Sequence, residues 1–197
     1  YDDSKDGYLQ LQPIEFTTED ADMAFNGGIS AGTSVDIENS AKSTKRSVMI
    51  DAGTGTVTIG DQVGQDVRAL KAVDADLREG ESRIAWSAFD RNHENVYRFE
   101  VVGEQINLNG DVTTFEEQIY RGAVQVGSVQ GEAGGDGTER NPMRLLVSVD
   151  PAVRFLSTID DSVAGGGTHS LAIYALSTIA ESKPGFVRPE IAFEGSI

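Results

Sequence analysis

Two adjacent carboxylates, Asp160 and Asp161, come nearest in this chain to residues spaced for reaction chemistry. Paired carboxyl groups can serve as acid and base across a sugar bond. The plainer expectation is two acids in a solvated turn ahead of Val163. Asp2, Ser4 and Asp6, followed by Gly7, have the alternating oxygen ligands and sharp-turn glycine of a calcium loop. The twelfth position of that loop needs a bidentate glutamate, and counted from Asp2 it is Pro13. These three residues stand as the calcium candidate, against the plainer reading of an acidic chain end. No other cofactor is expected.

The remaining chemical candidates are weaker. Gly134-Gly135-Asp136-Gly137 has the look of a calcium-binding glycine repeat, but it occurs once, and such sites need stacked neighbours. His93 and His169 are far apart in the chain, and with no cysteine to assist they make no zinc spacing. His169-Ser170 lacks the glycine elbow of a nucleophilic serine. Gly53-Thr54-Gly55 is followed by no Gly-Lys-Ser/Thr and is not a phosphate loop. Trp86 with Tyr97 and Phe99 could stack on a sugar, though their alternation favours core packing.

Composition narrows the function classes. Lys+Arg number 16 against 32 Asp+Glu, a formal net charge of −16 over 197 residues. So acidic a surface repels phosphate backbones and anionic membranes, and it favours solubility and divalent cations. Neither nucleic-acid binding nor membrane insertion is expected. The absence of cysteine removes disulfides and thiol nucleophiles. No run approaches the roughly 18–20 apolar residues of a membrane helix, and no basic-then-apolar leader opens the chain. The chain starts at Tyr1 and stops inside a repeated phrase at Ile197, so it reads as a piece of something longer.

The elements that must carry these residues are short strands. Apolar residues alternate at Leu9–Phe16, Met23–Phe25, Val48–Ile50, Val57–Ile59, Ile84–Ala88, Tyr97–Val101, Ile106–Leu108, Val124–Val126, Leu145–Val149, Val153–Phe155, Leu171–Ala175 and Ile191–Phe193. Alternation of period two is the strand signal. Residues 66–79 fit a helix nearly as well, and strand is preferred because strands flank them. A phrase recurs: MAFNGGI at 23–29, INLNGDV at 106–112, IYRGAV at 119–124 and IAFEGSI at 191–197. Recurring strand–turn phrases mark a structural array. Phe25, Ile59, Leu108, Phe155 and Phe193 are expected to point inward in stacked rows. Gly27, Gly110, Gly122 and Gly195 are expected to supply turn angles that a Cβ resists. Residues 1–8 read as an acidic terminal segment and 9–197 as the repeat region, with insertions at about 127–142 and 176–189.

The strongest phrase reads Gly110, Val112, Thr114, then Gln118, Tyr120, Gly122, Val124, and a second reads Val153, Phe155, Val163, Gly165, Ser170, Leu171, Ile173. With DADMAFNGGISAGTSVDIE, these resemble the repeats of filamentous-haemagglutinin-like bacterial surface proteins, over roughly residues 20–197. The resemblance implies a right-handed parallel β-helix (a β-solenoid) and a secreted adhesin or extracellular filament on the bacterial surface. The family's amino-terminal secretion domain has no counterpart here. Expected partners are neighbouring repeats or copies of the chain end to end, and host or cell-surface glycans or proteins.

No catalytic centre is expected. Two alternatives stay open: a polysaccharide-acting enzyme on a β-helix, and calcium-stabilised β-sandwich modules of a surface protein. The first would suit Asp160-Asp161, but the pectin-hydrolase pattern also needs an Asn-Thr-Asp run, a Gly-His-Gly and an Arg-x-Lys, none of which is present.

Overall fold

The computed structural model describes residues 9–10, 13–29, 44–64, 96–127, 144–148, 152–161, 171–175 and 188–195. The expectations for Asp2, Ser4 and Asp6, for 66–79, Trp86, His93, Gly134–Gly137 and His169, and for most of both insertions lie outside those residues.

The described chain is all-β. In order, the strands are β1 (Leu9–Gln10), β2 (Ile14–Thr17), β3 (Met23–Phe25), β4 (Thr44–Asp51), β5 (Thr56–Ile59), β6 (Val96–Leu108), β7 (Val112–Thr114), β8 (Gln118–Val126), β9 (Arg144–Ser148), β10 (Ala152–Phe155), β11 (Ile159–Asp161), β12 (Leu171–Ala175) and β13 (Glu190–Phe193). They pair as one sheet that does not close, and every described pairing is parallel. No described helix is long and apolar enough to cross a membrane.

Pairing register turns local alternation into rows. Ile14, Val48, Phe99, Gln118, Val153 and Ile191 form one, and Phe16, Ile50, Val101, Tyr120, Phe155 and Phe193 the next. Met23, Val57, Ile106, Val124 and Ile159 form a third. Phe25, Ile59, Leu108 and Val126 run beside it. Ile29, Val63, Val112, Leu146 and Ile173 make the fifth. Buried members of all five rows join in one apolar cluster. The alternation thus sorts residues by face, because successive strand residues point to opposite sides. The expected inward residues divide between two rows: Phe25, Ile59 and Leu108 in one, Phe155 and Phe193 in the other.

The glycines correct the sequence reading. Among the described glycines only Gly53 (φ 57°) and Gly64 (φ 77°) are left-handed, so Gly27, Gly110, Gly122 and Gly195 do not serve by unusual angles. Gly122 is no turn either, since β8 runs straight through it. There, Gly103 and Glu104 of β6 face the single Gly122, a bulge in the ladder. A Cβ on Gly122 would come within 1.9 Å of the Gly103 carbonyl oxygen, and one on Gly110 within 2.0 Å of that of Asp61. Close approach between neighbouring backbones is what excludes a side chain.

Candidate functional site

Among the described residues a buried polar cluster lies beside the short connection from β6 to β8. From Phe99 in β6 the chain returns to the same row at Gln118 in β8, with β7 between. Gln118 stands where the other five members of its row are apolar, and it is completely buried. Its Nε2 donates to the Val112 carbonyl at 3.3 Å and to Thr114 Oγ1 at 3.2 Å. Its Oε1 accepts from the Tyr120 hydroxyl at 2.9 Å. Thr114 and Ser148 hydroxyls both donate to the Glu116 carbonyl. The amide side chain therefore pins the tight return to the strand that follows it. Burial raises the Tyr120 phenol far above its ordinary range, because the low-dielectric interior penalises the phenolate.

Around Tyr120 runs an aromatic stack. Its ring lies 5.1 Å from Phe155 at 12°, and Phe155 lies 5.2 Å from Phe193 at 4°. Phe99 meets Tyr120 edge-on at 6.3 Å and 74°. Tyr97 stacks on Phe115 and donates to Glu116. Both Tyr97 and Phe99 are buried, so neither is a sugar-stacking platform, in line with core packing.

The outward face of β6, β8, β10 and β13 carries a chain of ion pairs. Arg121 meets Glu100 at 2.7 Å, and Glu100 meets Arg98 at 3.0 Å. Glu117 bridges Arg98 Nε at 3.5 Å and Arg154 Nε at 3.3 Å, contacts that are ionic without hydrogen-bond alignment. Arg154 reaches Glu190 at 3.4 Å. On the adjoining face Gln105 donates to Asn107 at 2.7 Å and to Gln125 at 3.0 Å, and Asn107 donates to Thr58 at 3.2 Å. Sequence reading missed the ion chain. Its trace was there: Arg98 and Glu100 alternate with the apolar Tyr97, Phe99 and Val101.

Two acids between β2 and β3 hold the chain where β4 leads into β5. Asp20 accepts from the Thr54 amide at 2.9 Å and Asp22 from the Thr56 amide at 2.7 Å. Gly53-Thr54-Gly55 is thus a turn between β4 and β5 held by carboxylates, not an anion cradle.

The paired acids do not form the expected turn. Asp160 and Asp161 lie on β11, paired in parallel to Gln125 and Val126. Asp160 is exposed. Among the described residues no group of three or more His, Cys, Asp or Glu gathers to hold a metal.

The sheet's two edges are the other notable surfaces. β2 begins the first two rows and β13 ends them, and each has a partner on one side only among the described strands. Phe16 is 39% exposed, Ile191 42% and Phe193 39%, the exposed large apolar residues of the described chain. All three occupy row positions whose equivalents in the middle strands are completely or almost completely buried.

No protein-family model, curated protein or solved structure matches the chain.

Proposed function

We propose that the chain is a non-catalytic β-solenoid segment of a secreted bacterial surface adhesin or extracellular filament. It works mechanically, as a stiff repetitive rod whose contacts are carried by loops and ends. One observation carries the reading: inward residues keep parallel register through as many as six successive strands. In stacked-repeat architectures each pass packs on its neighbours alone, and such rows follow.

Two further features support it. Parallel sheets in α/β proteins bury both faces under helices. Here no helix is present among the described residues, and the outward faces carry ion pairs and amide ladders instead. Sandwich modules are antiparallel, whereas every described pairing is parallel.

The test is the cell fraction of the native protein together with its solution shape. Antibody labelling of intact cells is expected to show surface exposure, and scattering from the self-associated chain an elongated particle. A purely cytosolic location would sink the reading.

A further inference from the structure

The two edges, each with a partner on one side only among the described strands, match one another. β13 offers Ile191-Ala192-Phe193 and β2 offers Ile14-Glu15-Phe16, the same apolar-x-aromatic pattern at opposite ends of the same two rows. β13 already shows how such an edge is filled. Its inner side takes β10 in parallel, with Ile191 on Val153 and Phe193 on Phe155. The Phe155–Phe193 stack leaves the other side of Phe193 open. At the far end Phe16 is held edge-on by Phe25 at 5.1 Å and 72°, which sets its ring before any partner arrives.

Charge selects among the ways two copies could meet. If β13 met β13 about a two-fold axis through Ala192, Glu190 of each copy would face Glu194 of the other. If β2 met β2 about Glu15, the two Glu15 side chains would stand directly opposite each other. Like charges directly opposite on neighbouring strands are destabilising. If β2 lies parallel on β13 in the continuing register, Glu190 faces Pro13, Ala192 faces Glu15 and Glu194 faces Thr17. No carboxylate then stands directly opposite another: Glu15 meets Glu190 and Glu194 only on the diagonals, about 7–8 Å away.

Resting on the solenoid reading, we propose that a second copy of this chain docks head to tail. Its β2 pairs in parallel with β13, Ile14 on Ile191 and Phe16 on Phe193. The contact is heterologous, so repetition builds a fibre rather than a closed dimer. Each chain carries a net charge of −16, so long-range repulsion opposes docking, and salt, which screens it, strengthens docking.

The chain has no cysteine, which permits a direct test. Neighbouring strands put Cα atoms about 4.8 Å apart, inside the range a disulfide spans. Glu15→Cys and Ala192→Cys are prepared separately in the 197-residue chain and oxidised mildly, alone and mixed. The expected result is a cross-linked dimer in the mixture and little in either alone. A dimer from Ala192→Cys alone, or from Glu15→Cys alone, would overturn the proposal in favour of a two-fold contact. In sedimentation, Phe16→Asp and Phe193→Asp should each weaken self-association at least about tenfold. Mixing the two should restore a pair but no longer fibre, since each retains one competent end. Amide exchange separates the two levels of failure. Protected Ile50, Val101 and Tyr120 amides with no association at high concentration and salt would sink the docking alone. Freely exchanging amides there would sink the solenoid reading with it.

Discussion

The Tyr120 hydroxyl donates to Gln118 Oε1 at 2.9 Å, and both side chains are completely buried two positions apart on β8. Tyr120→Phe keeps the ring in its stack but leaves the Gln118 oxygen without that donor. Losing one buried hydrogen bond of this kind costs about 0.5–1.5 kcal/mol. We expect a loss of that size in urea unfolding. The double variant Gln118→Leu/Tyr120→Phe should lose less than the sum of the two single variants, because the groups share one network.

Tyr120 also predicts an alkaline limit to stability. Its folded pKa is raised by burial above the ordinary 10.0. The folded state therefore holds the phenolic proton where the unfolded state releases it. The contribution is fully present below about pH 10 and is lost as pH rises beyond it, at about 1.4 kcal/mol per pH unit. Tyr120→Phe should show a shallower fall above pH 10, measured by denaturant titrations at several alkaline pH values. An equal slope would refute the assignment.

Gly122 and Gly27 should respond oppositely to alanine. A Cβ at Gly122 meets the Gly103 carbonyl, whereas nothing lies within 4 Å of one at Gly27. Gly122→Ala should cost about 1–3 kcal/mol as the bulge is forced apart. Gly27→Ala should be neutral or stabilising by up to about 1 kcal/mol, since it restricts the unfolded chain. Paired thermal melts decide this.

Phe155 and Phe193 stack on each other, yet burial separates them. Phe155→Ala removes a completely buried ring and should cost about 3–5 kcal/mol. Phe193→Ala in the dissociated chain should cost clearly less, because that ring is already partly in water. Similar losses would mean that β13 is covered in the isolated chain.

Glu117 bridges Arg98 and Arg154 on the outward face. Both arginine side chains are about two-fifths exposed (40% and 42%), so solvent screens the pairs. Glu117→Gln should cost no more than about 1 kcal/mol, and the difference should shrink in 1 M salt. A larger, salt-independent loss would indicate a packing role instead.

Much of the strand content was readable from period two. Val48 and Ile50, Val57 and Ile59, and Ile106 and Leu108 alternate in sequence and are buried as that alternation requires. Alternation states which face a residue takes, because the strand geometry is local. It does not state which residue lies beside it, because a parallel partner comes from a distant part of the chain. Only tertiary structure could place Phe99 on Val48 and Gln118 on Phe99. For the same reason a glutamine in an apolar row could not be foreseen: its hydrogen-bond partners exist only once β7 folds back beside it. Gly122 looked like a turn because glycine is usually read by its angles, but here the neighbouring strand's carbonyl sets the requirement. Asp160 and Asp161 read as a solvated turn because adjacent acids favour water, but their backbone pairs with Gln125 and Val126 as β11, a partner the local sequence does not name. Local chemistry was thus legible in the sequence, while proximity across the sheet was decided by the fold.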